Sequence, residues 1–253
     1  MQEGLDIIIS PVNAVWVCFA GLFILLSVPV YHLLRRKPVE TRRRTLLVIS
    51  AANLALFCVY LLWFQHEPGT PFFSWDMLPL NLCNLVTVLF VVALAANKRF
   101  LYCFCFYVGI ASGFMAILSP AGALKEMELF SPLMIGFYVV HCMLYTLGIS
   151  LATLKLYKPT YRSPLLTVLY LEILSGVVYV IDLLLRNTVY KEANFFFLFE
   201  TGESSYLKAL HSLAPVPPFT MMLSVLPVAI GIFMLLTFIY KVFAGEHRIL
   251  KRK

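Results

Sequence analysis

The stretch FYVVHCMLYTLG, residues 137–148, lies inside an apolar run that extends from 133 to 156 and has no Asp, Glu, Lys or Arg before Lys155. About 20 consecutive apolar residues are enough for a helix to cross the hydrocarbon core of a bilayer. His141 stands near the middle of the run, and an ionisable group in such a place usually faces the protein interior, where it pairs or serves a functional site. The stretch therefore predicts a membrane-spanning helix and singles out His141.

The composition of the whole chain agrees with a membrane protein. Of its 253 residues, 61% are hydrophobic and 13% are charged. A soluble domain is about 45–50% apolar and about 25% charged, and a soluble core could not bury the excess found here. The composition therefore excludes a soluble protein and predicts an integral membrane protein.

Apolar runs similar to that around His141 recur along the chain. In lipid, helices satisfy their own backbone hydrogen bonds, whereas open strands do not. We therefore predict an all-α fold: a polytopic membrane helix bundle of seven transmembrane helices that forms a single integral membrane domain over residues 1–253. The first run follows MQEGLD, which lacks the basic region of a signal peptide, so we expect it to be retained. The seven runs are 13–34, 45–64, 78–96, 101–119, 133–156, 165–185 and 219–241.

The positive charge is distributed unevenly between the two sides that seven spans would create. The positive-inside rule places the more basic side in the cytoplasm, which puts the N-terminus outside and the C-terminus in the cytoplasm. A basic rim that faces anionic lipid accounts for the net charge of +7, so we expect membrane lipid, and no nucleic acid, as a partner. All but four of the 20 Lys and Arg residues lie in segments of the more basic side: 35–44, 97–100, 155–162 and 241–253.

Two reactive residues lie at a similar depth below the predicted outer surface. Cys83 is roughly 8 Å below Leu78, and His141 is roughly 12 Å below Leu133, at 1.5 Å per residue. Both would lie beneath the outer headgroups, at the level of a phospholipid ester carbonyl. An adjacent imidazole is the usual means of converting a thiol into the nucleophilic thiolate. We therefore predict His141 as a catalytic base and Cys83 as a catalytic nucleophile.

Two asparagines accompany Cys83 in the third run. Asn81 and Asn84 are three residues apart, so they share one face of a helix. Their amide groups could donate hydrogen bonds to an oxyanion, and we predict both as substrate-binding residues. Two alternatives stay open: Cys83 packs as a small apolar side chain, or His141 only forms a hydrogen bond between helices.

The other polar residues point to structural roles. All six cysteines lie inside predicted spans, which disfavours disulfides, and Cys103 and Cys105 lack the spacing of a zinc site. We predict neither a metal nor a cofactor. Asp182 and Arg186 are four residues apart, which is the spacing of a helix ion pair.

The segment 186–218 is longer than a plain connection between helices requires. Its portions NFFFLFE and SSYLKALHSLA are amphipathic. They predict an outer loop that folds against the bundle and contains a surface helix.

Four motifs appear in this order: LPLNLCNL (78–85), HCMLYTLG (141–148), EANFFFLFE (192–200) and LAPVPPF (213–219). Together they resemble the YwaF family of bacterial integral membrane proteins. The eukaryotic relatives of that family are multi-spanning Cys/His acyltransferases that move polyunsaturated acyl chains onto ether lysophospholipids. The resemblance implies a cysteine that forms an acyl thioester, a histidine that acts as its base, and a location in the bacterial plasma membrane.

The residue match to that family is close at the histidine and shifted at the cysteine. His141 corresponds to the family histidine. In the eukaryotic pattern the cysteine follows the helix 3 proline and precedes a histidine, and these positions are Leu80 and Asn81 here. Cys83 is the nearest thiol, about 4.5 Å further along the helix axis. Asn194, at the head of the aromatic run, is predicted as a substrate-binding lid residue, with a surface turn as the alternative.

The sequence leaves two classes of function open. The first is a lipid acyltransferase or lipid hydrolase with its site under the outer leaflet. The second is a non-catalytic membrane transporter or a lipid- or small-molecule-binding partner subunit. Polar residues are concentrated toward the predicted outer side, which favours the first class. A polar stripe across both leaflets would favour the second.

Overall fold

The computed structural model describes residues 27–64, 78–118, 132–201 and 220–244, together with a few isolated positions outside these ranges. All regular structure in this part of the chain is helical, which confirms the all-α prediction. A short 3₁₀ turn covers Phe195–Phe197. The α-helices of the described residues are α1 (Ser27–Leu34), α2 (Val39–Phe64), α3 (Leu82–Ala96), α4 (Arg99–Leu118), α5 (Pro132–Thr153), α6 (Ser163–Thr188) and α7 (Thr220–Phe243).

Each of these helices overlaps one of the predicted apolar runs. Four stretches of the described helices are long and apolar enough to cross a membrane: Arg99–Ile117, Ile135–Thr153, Ser163–Thr188 and Val225–Phe243. The seven-span count and the orientation of the termini stay predictions. Most of the first run and both chain termini lie outside the described residues.

The helices α2 to α5 form a closed group of four. Each packs against the next along the chain, and α5 returns to pack against α2. α1 packs on α5, while α6 and α7 pack on α4 and on each other. α5 therefore contacts four other helices, which explains why His141 near its middle is buried.

Glycines allow α4 and α5 to approach closely. A Cβ at Gly109 would lie 3.6 Å from the Leu144 carbonyl oxygen of α5 and 2.7 Å from the Phe90 ring of α3, and one at Gly148 would lie 2.8 Å from Ile110 Cγ1 of α4. Gly109 and Gly113 are four residues apart on α4, which is the small-residue spacing that lets membrane helices pack with their backbones close together.

The two faces of α6 have opposite character. Its buried face carries small and polar residues at Ser163, Thr167, Ser175 and Asp182. Its exposed residues are large and apolar, as expected for a helix that faces lipid with one side and protein with the other. They include Leu165, Leu169, Ile173, Val177, Val180 and Leu184.

Two arginines near the start of α2 bind backbone carbonyls where three other helices end. Arg42 donates to the carbonyl oxygens of Leu154 at 2.8 Å and of Arg35 and Lys37 at 2.7 Å each. Arg43 donates to the carbonyl oxygen of Leu94. The last carbonyls of a helix carry partial negative charge and lack helical partners, so a guanidinium stabilises them. We call this arrangement of Arg42 and Arg43 the arginine clamp.

The arginine clamp brings basic segments together at one end of the bundle. It joins the segments that follow α1, α3 and α5, and Lys241 near the end of α7 lies 4.5 Å above the Tyr161 ring of the α5–α6 connection. We call this the basic end. The positive-inside rule requires the described basic segments to lie on one side of the membrane, and their position at one end of the bundle is consistent with that. The side of the membrane on which this end lies stays a prediction.

Candidate functional site

His141 is held in one orientation inside the bundle. The residue is 6% exposed, and its Nδ1 lies 2.7 Å from the carbonyl oxygen of Phe137 one turn earlier on α5. A carbonyl oxygen can only accept a hydrogen bond, so Nδ1 carries the proton and the lone pair of the neutral ring is on Nε2. The Phe137 ring packs against the imidazole with 4.2 Å between centroids. The histidine faces protein, with Nε2 as its basic nitrogen.

Cys83 lies in the first turn of α3, next to the predicted asparagines. Its thiol is half-buried and donates to Asn84 Oδ1 at 3.4 Å. Asn81 occupies the N-cap position in an extended conformation, and its side chain forms no capping hydrogen bond. Thr87 donates to the Cys83 carbonyl oxygen at 2.9 Å and is buried. The structure thus brings Asn84 into contact with the thiol and places Asn81 at the helix start.

Two markers place Cys83 and His141 at similar heights in the bundle. The arginine clamp binds Leu94 and Leu154; counting back along each helix, Cys83 is ~16 Å and His141 is ~20 Å from these residues. Gly109 faces both Phe90 of α3 and Leu144 of α5. Along the helix axes, Phe90 lies ~10 Å from Cys83 and Leu144 lies ~4.5 Å from His141. The first count puts His141 ~4 Å further from the clamp than Cys83, and the second puts Cys83 ~6 Å further from Gly109 than His141, so the two heights agree to within about one helical turn.

The described hydrogen bonds of the two candidate catalytic residues are local. His141 bonds to Phe137, and Cys83 bonds to Asn84. α3 and α5 contact each other, but a direct bond between thiol and imidazole is not among those that the described residues form. The structure therefore brings the two helices together without a preformed thiol–imidazole pair.

The sequence model of the TMEM164 family matches residues 8–240. The chain belongs to the TMEM164 family. This is a family of transmembrane proteins, and together with the apolar helices it identifies an integral membrane protein. Searches of curated proteins and of solved structures find no match. The family match gives no support for the YwaF resemblance or for acyltransferase chemistry, and a bacterial origin also stays a prediction.

The interior of this TMEM164-family protein contains further buried polar residues beside His141. Asn53 of α2 donates to the carbonyl oxygen of Val140 at 3.4 Å, and Ser50 lies one turn before it. Ser50 Oγ and Asn53 Oδ1 are buried and have no hydrogen-bond partner among the described residues. The three-residue spacing of Ser50 and Asn53 on an otherwise apolar helix was the sequence signal for this pair.

Asn194 organises its own loop in the TMEM164-family structure. Its Oδ1 accepts from the backbone nitrogens of Phe199 at 2.9 Å and Glu200 at 3.2 Å, and its Nδ2 donates to the Glu200 carbonyl oxygen at 3.0 Å. Phe196 and Phe197 have φ of 60° and 55°, a left-handed conformation that is costly for such residues. The described bonds of Asn194 therefore close the loop, and its role in substrate binding stays a prediction.

Arg186 connects that loop to α6. Its Nη1 donates to Ala193 O at 2.7 Å, Nη2 lies 3.9 Å from Glu200 Oε1, and its guanidinium stacks 4.5 Å above the Phe199 ring. The described ion pair of Arg186 is therefore with Glu200 and not with the predicted partner Asp182, which is wholly buried. The predicted surface helix of 186–218 falls mostly outside the described residues.

Among the described residues, no three His, Cys, Asp or Glu side chains come together as a metal site would require.

Proposed function

We propose that this TMEM164-family protein transfers an acyl group from a membrane lipid, with His141 as the base and Cys83 as the nucleophile. The observation that supports this most directly is the orientation of His141. The Phe137 carbonyl holds the Nδ1 proton and leaves the Nε2 lone pair to accept another. General base catalysis requires a base whose lone pair is held in a defined direction, and the bond to Phe137 fixes the direction of Nε2.

The proposed reaction has two steps. His141 Nε2 accepts the thiol proton of Cys83, and the thiolate attacks the ester carbonyl carbon of the donor lipid. The carbon–oxygen bond breaks, the lipid alcohol leaves with the proton from His141, and an acyl thioester remains on Cys83. The acceptor hydroxyl then gives its proton to His141 and attacks the thioester, which releases the Cys83 thiolate. With water as the acceptor, the same steps are a hydrolysis.

Asn84 and Asn81 have a supporting role in this proposal. Asn84 already contacts the Cys83 thiol through Oδ1, so its amide lies beside the sulfur to which the tetrahedral intermediate would be attached. An amide N–H at that place would stabilise the oxyanion of both steps. Asn81 opens α3 without a side-chain capping bond, which leaves its amide able to bind the same group.

The proposal is tested with the purified full-length protein in lipid nanodiscs. An ester phospholipid serves as donor and a lysophospholipid as acceptor, and intact mass analysis looks for an acyl adduct that hydroxylamine removes. We expect Cys83→Ser to lose the adduct and His141→Ala to slow transfer by about 100-fold or more. Matched controls are Cys58→Ser and His32→Ala, since both residues are exposed. Transfer by Cys83→Ser at the wild-type rate would contradict the thioester route.

A second candidate function, in transport or small-molecule binding, is favoured by the buried polar groups. Ser50 Oγ, Asn53 Oδ1 and Ser112 Oγ lie inside the bundle with no described partner. Buried polar atoms without partners are expected to bind water or a ligand. Under this alternative, Asn53→Leu should change solute binding or uptake by proteoliposomes, while His141→Ala should produce no loss of lipid acyl transfer because none occurs.

A further inference from the structure

A small cavity opens at the basic end between two helix connections. Its volume is about 280 Å³, and it lies between the α3–α4 turn and the residues that follow α5. Ligand pockets for drug-sized molecules are about 300–1,000 Å³, so this cavity suits a compact group. Its polar lining includes Asn97, Arg99, Tyr102, Lys155 and Lys158.

The backbone that forms the cavity is fixed by two helix ends. Asn97 caps α3 with φ of 51°, and its Oδ1 accepts a 2.9 Å hydrogen bond from Tyr102 of α4. After α5, the Leu156 nitrogen bonds to Leu151 O and the Lys155 nitrogen bonds to Ala152 O. This is a Schellman motif, in which the left-handed position is usually glycine.

Lys155 occupies that left-handed position, with φ of 64°. A residue with a Cβ has a steric cost in this conformation, whereas glycine does not. A strained backbone at a cavity is an observation from which a functional role can be inferred. Here the strained residue places a cation on the cavity lining.

The charge of the cavity is entirely positive. Arg99, Lys155 and Lys158 all line it, and none of its lining residues is acidic. Glu40, the carboxylate near the arginine clamp, is already paired with Arg43 and Arg44 at 2.7 Å and 2.8 Å. α4 begins at Arg99, so the N-terminus of a 20-residue helix, with its partial positive charge, also meets the cavity.

We propose that this cavity binds the phosphate group of an anionic ligand, either a phospholipid headgroup or a soluble phosphate ester. Three cations, a helix N-terminus and the lack of a carboxylate in the lining favour an anion, and the cavity volume suits a single phosphate group. The site follows the C-terminal end of α5, ~21 Å along the helix axis from His141 near its middle, so it is separate from the proposed acyl-transfer site.

The test uses the full-length protein in a neutral detergent. The probes are inorganic phosphate, glycerol 3-phosphate and short-chain phosphatidic acid, with binding measured by native mass spectrometry and by thermal shift. The cavity variant combines Arg99→Gln, Lys155→Gly and Lys158→Gln. Its matched control combines Arg36→Gln, Lys37→Gln and Lys98→Gln, which remove the same charge from exposed residues of the same end that do not line the cavity.

We expect the cavity variant to weaken binding at least tenfold and the control variant to change it less than twofold. Retention of phosphatidic acid without binding of either soluble probe would support a lipid headgroup as the ligand. Competition by glycerol 3-phosphate would support a soluble phosphate ester. Equal weakening by both variants, or no binding of any probe to the wild-type protein, would overturn the proposal. Lys155→Gly alone keeps the left-handed backbone, so its melting temperature separates loss of charge from loss of fold.

Discussion

Gly113 of α4 lies directly against the backbone of His141 in α5. A Cβ on the glycine would be 2.7 Å from the His141 carbonyl oxygen and 2.8 Å from the Tyr145 nitrogen. Backbone atoms cannot rotate away as the end of a side chain can. The spacing of α4 and α5 at the level of His141 therefore depends on the lack of a side chain at residue 113.

Gly113→Ala is expected to lower the free energy of unfolding by about 1–3 kcal/mol, because the added methyl group must push the helices apart. Gly176→Ala on α6 is the matched control, since nothing lies within 4 Å of a Cβ there. Alanine favours a helix over glycine by about 1 kcal/mol, so the control should be neutral or stabilising. Thermal unfolding in detergent measures both. Equal melting temperatures for the two variants would show that the close contact between Gly113 and the α5 backbone does not contribute to stability.

Arg42→Gln is expected to destabilise the protein by about 1–3 kcal/mol, because it removes charge-assisted hydrogen bonds to three carbonyls at helix ends. Arg36→Gln removes the same charge from an exposed residue and should stay within about 0.5 kcal/mol of wild type. Thermal unfolding at two salt concentrations separates specific bonds from general surface charge. A loss shared equally by both variants would argue against the arginine clamp.

Glu40 should titrate far below an ordinary glutamate. Hydrogen bonds from Arg43 and then Arg44 lower the pKa of its carboxyl to about 2. A lowered pKa in the folded state gives stability that is present above the unfolded value of about 4.3 and is lost as the pH falls toward 2. NMR of labelled glutamate should find this carboxyl still ionised at pH 3.5, and Glu40→Gln should remove its part of the acid sensitivity. A carboxyl that titrates near 4.3 would contradict the pairing.

Asn194→Ala should loosen the loop that follows α6. It removes two accepted hydrogen bonds and one donated bond, so deuterium exchange at Phe199 and Glu200 should rise at least tenfold. Asn187→Ala is the control, because Asn187 is exposed and bonds only within its own helix turn among the described contacts. If acyl transfer by Asn194→Ala falls while deuterium exchange is unchanged, the result would indicate that Asn194 contacts the substrate directly and does not act by holding the loop.

Local sequence patterns were sufficient to predict the helices but not the contacts between distant residues. Apolar length predicted α4 to α7 closely, because lipid leaves the backbone few alternatives to a helix. α2 starts at Val39, ahead of the predicted apolar run, and its polar first turn is held by pairs of Glu40 with Arg43 and Arg44 that a search for apolar residues does not detect. The spacing of Asp182 and Arg186 predicted an ion pair, but the chain reversal brings Ala193 and Glu200 to Arg186 instead.

At the candidate site, too, the sequence predicted features within one helix but not contacts between helices. Depth counting predicted that Cys83 and His141 share a level, because each count uses one helix alone. The bond between His141 Nδ1 and the Phe137 carbonyl oxygen joins residues four apart on one helix, so the sequence spacing could have predicted it. The orientation of the ring also depends on the neighbouring helices that bury it, and these the sequence spacing does not identify. Ser50 Oγ and Asn53 Oδ1 lack a described hydrogen-bond partner because of how α2 packs against α5, which no local pattern encodes.

The arginine clamp also constrains the order of events during synthesis. Arg42 and Leu154 are separated by 112 residues, so the nascent chain contains the donor long before its acceptor exists. At about 5–20 residues per second, the ribosome needs roughly 6 to 22 seconds to supply that acceptor. During this interval Arg42 has its acceptors at Arg35 and Lys37 but lacks the carbonyl oxygen of Leu154. The group of four helices can therefore close only after α5 has been synthesised, because α5 supplies both the last acceptor of Arg42 and the contact back to α2.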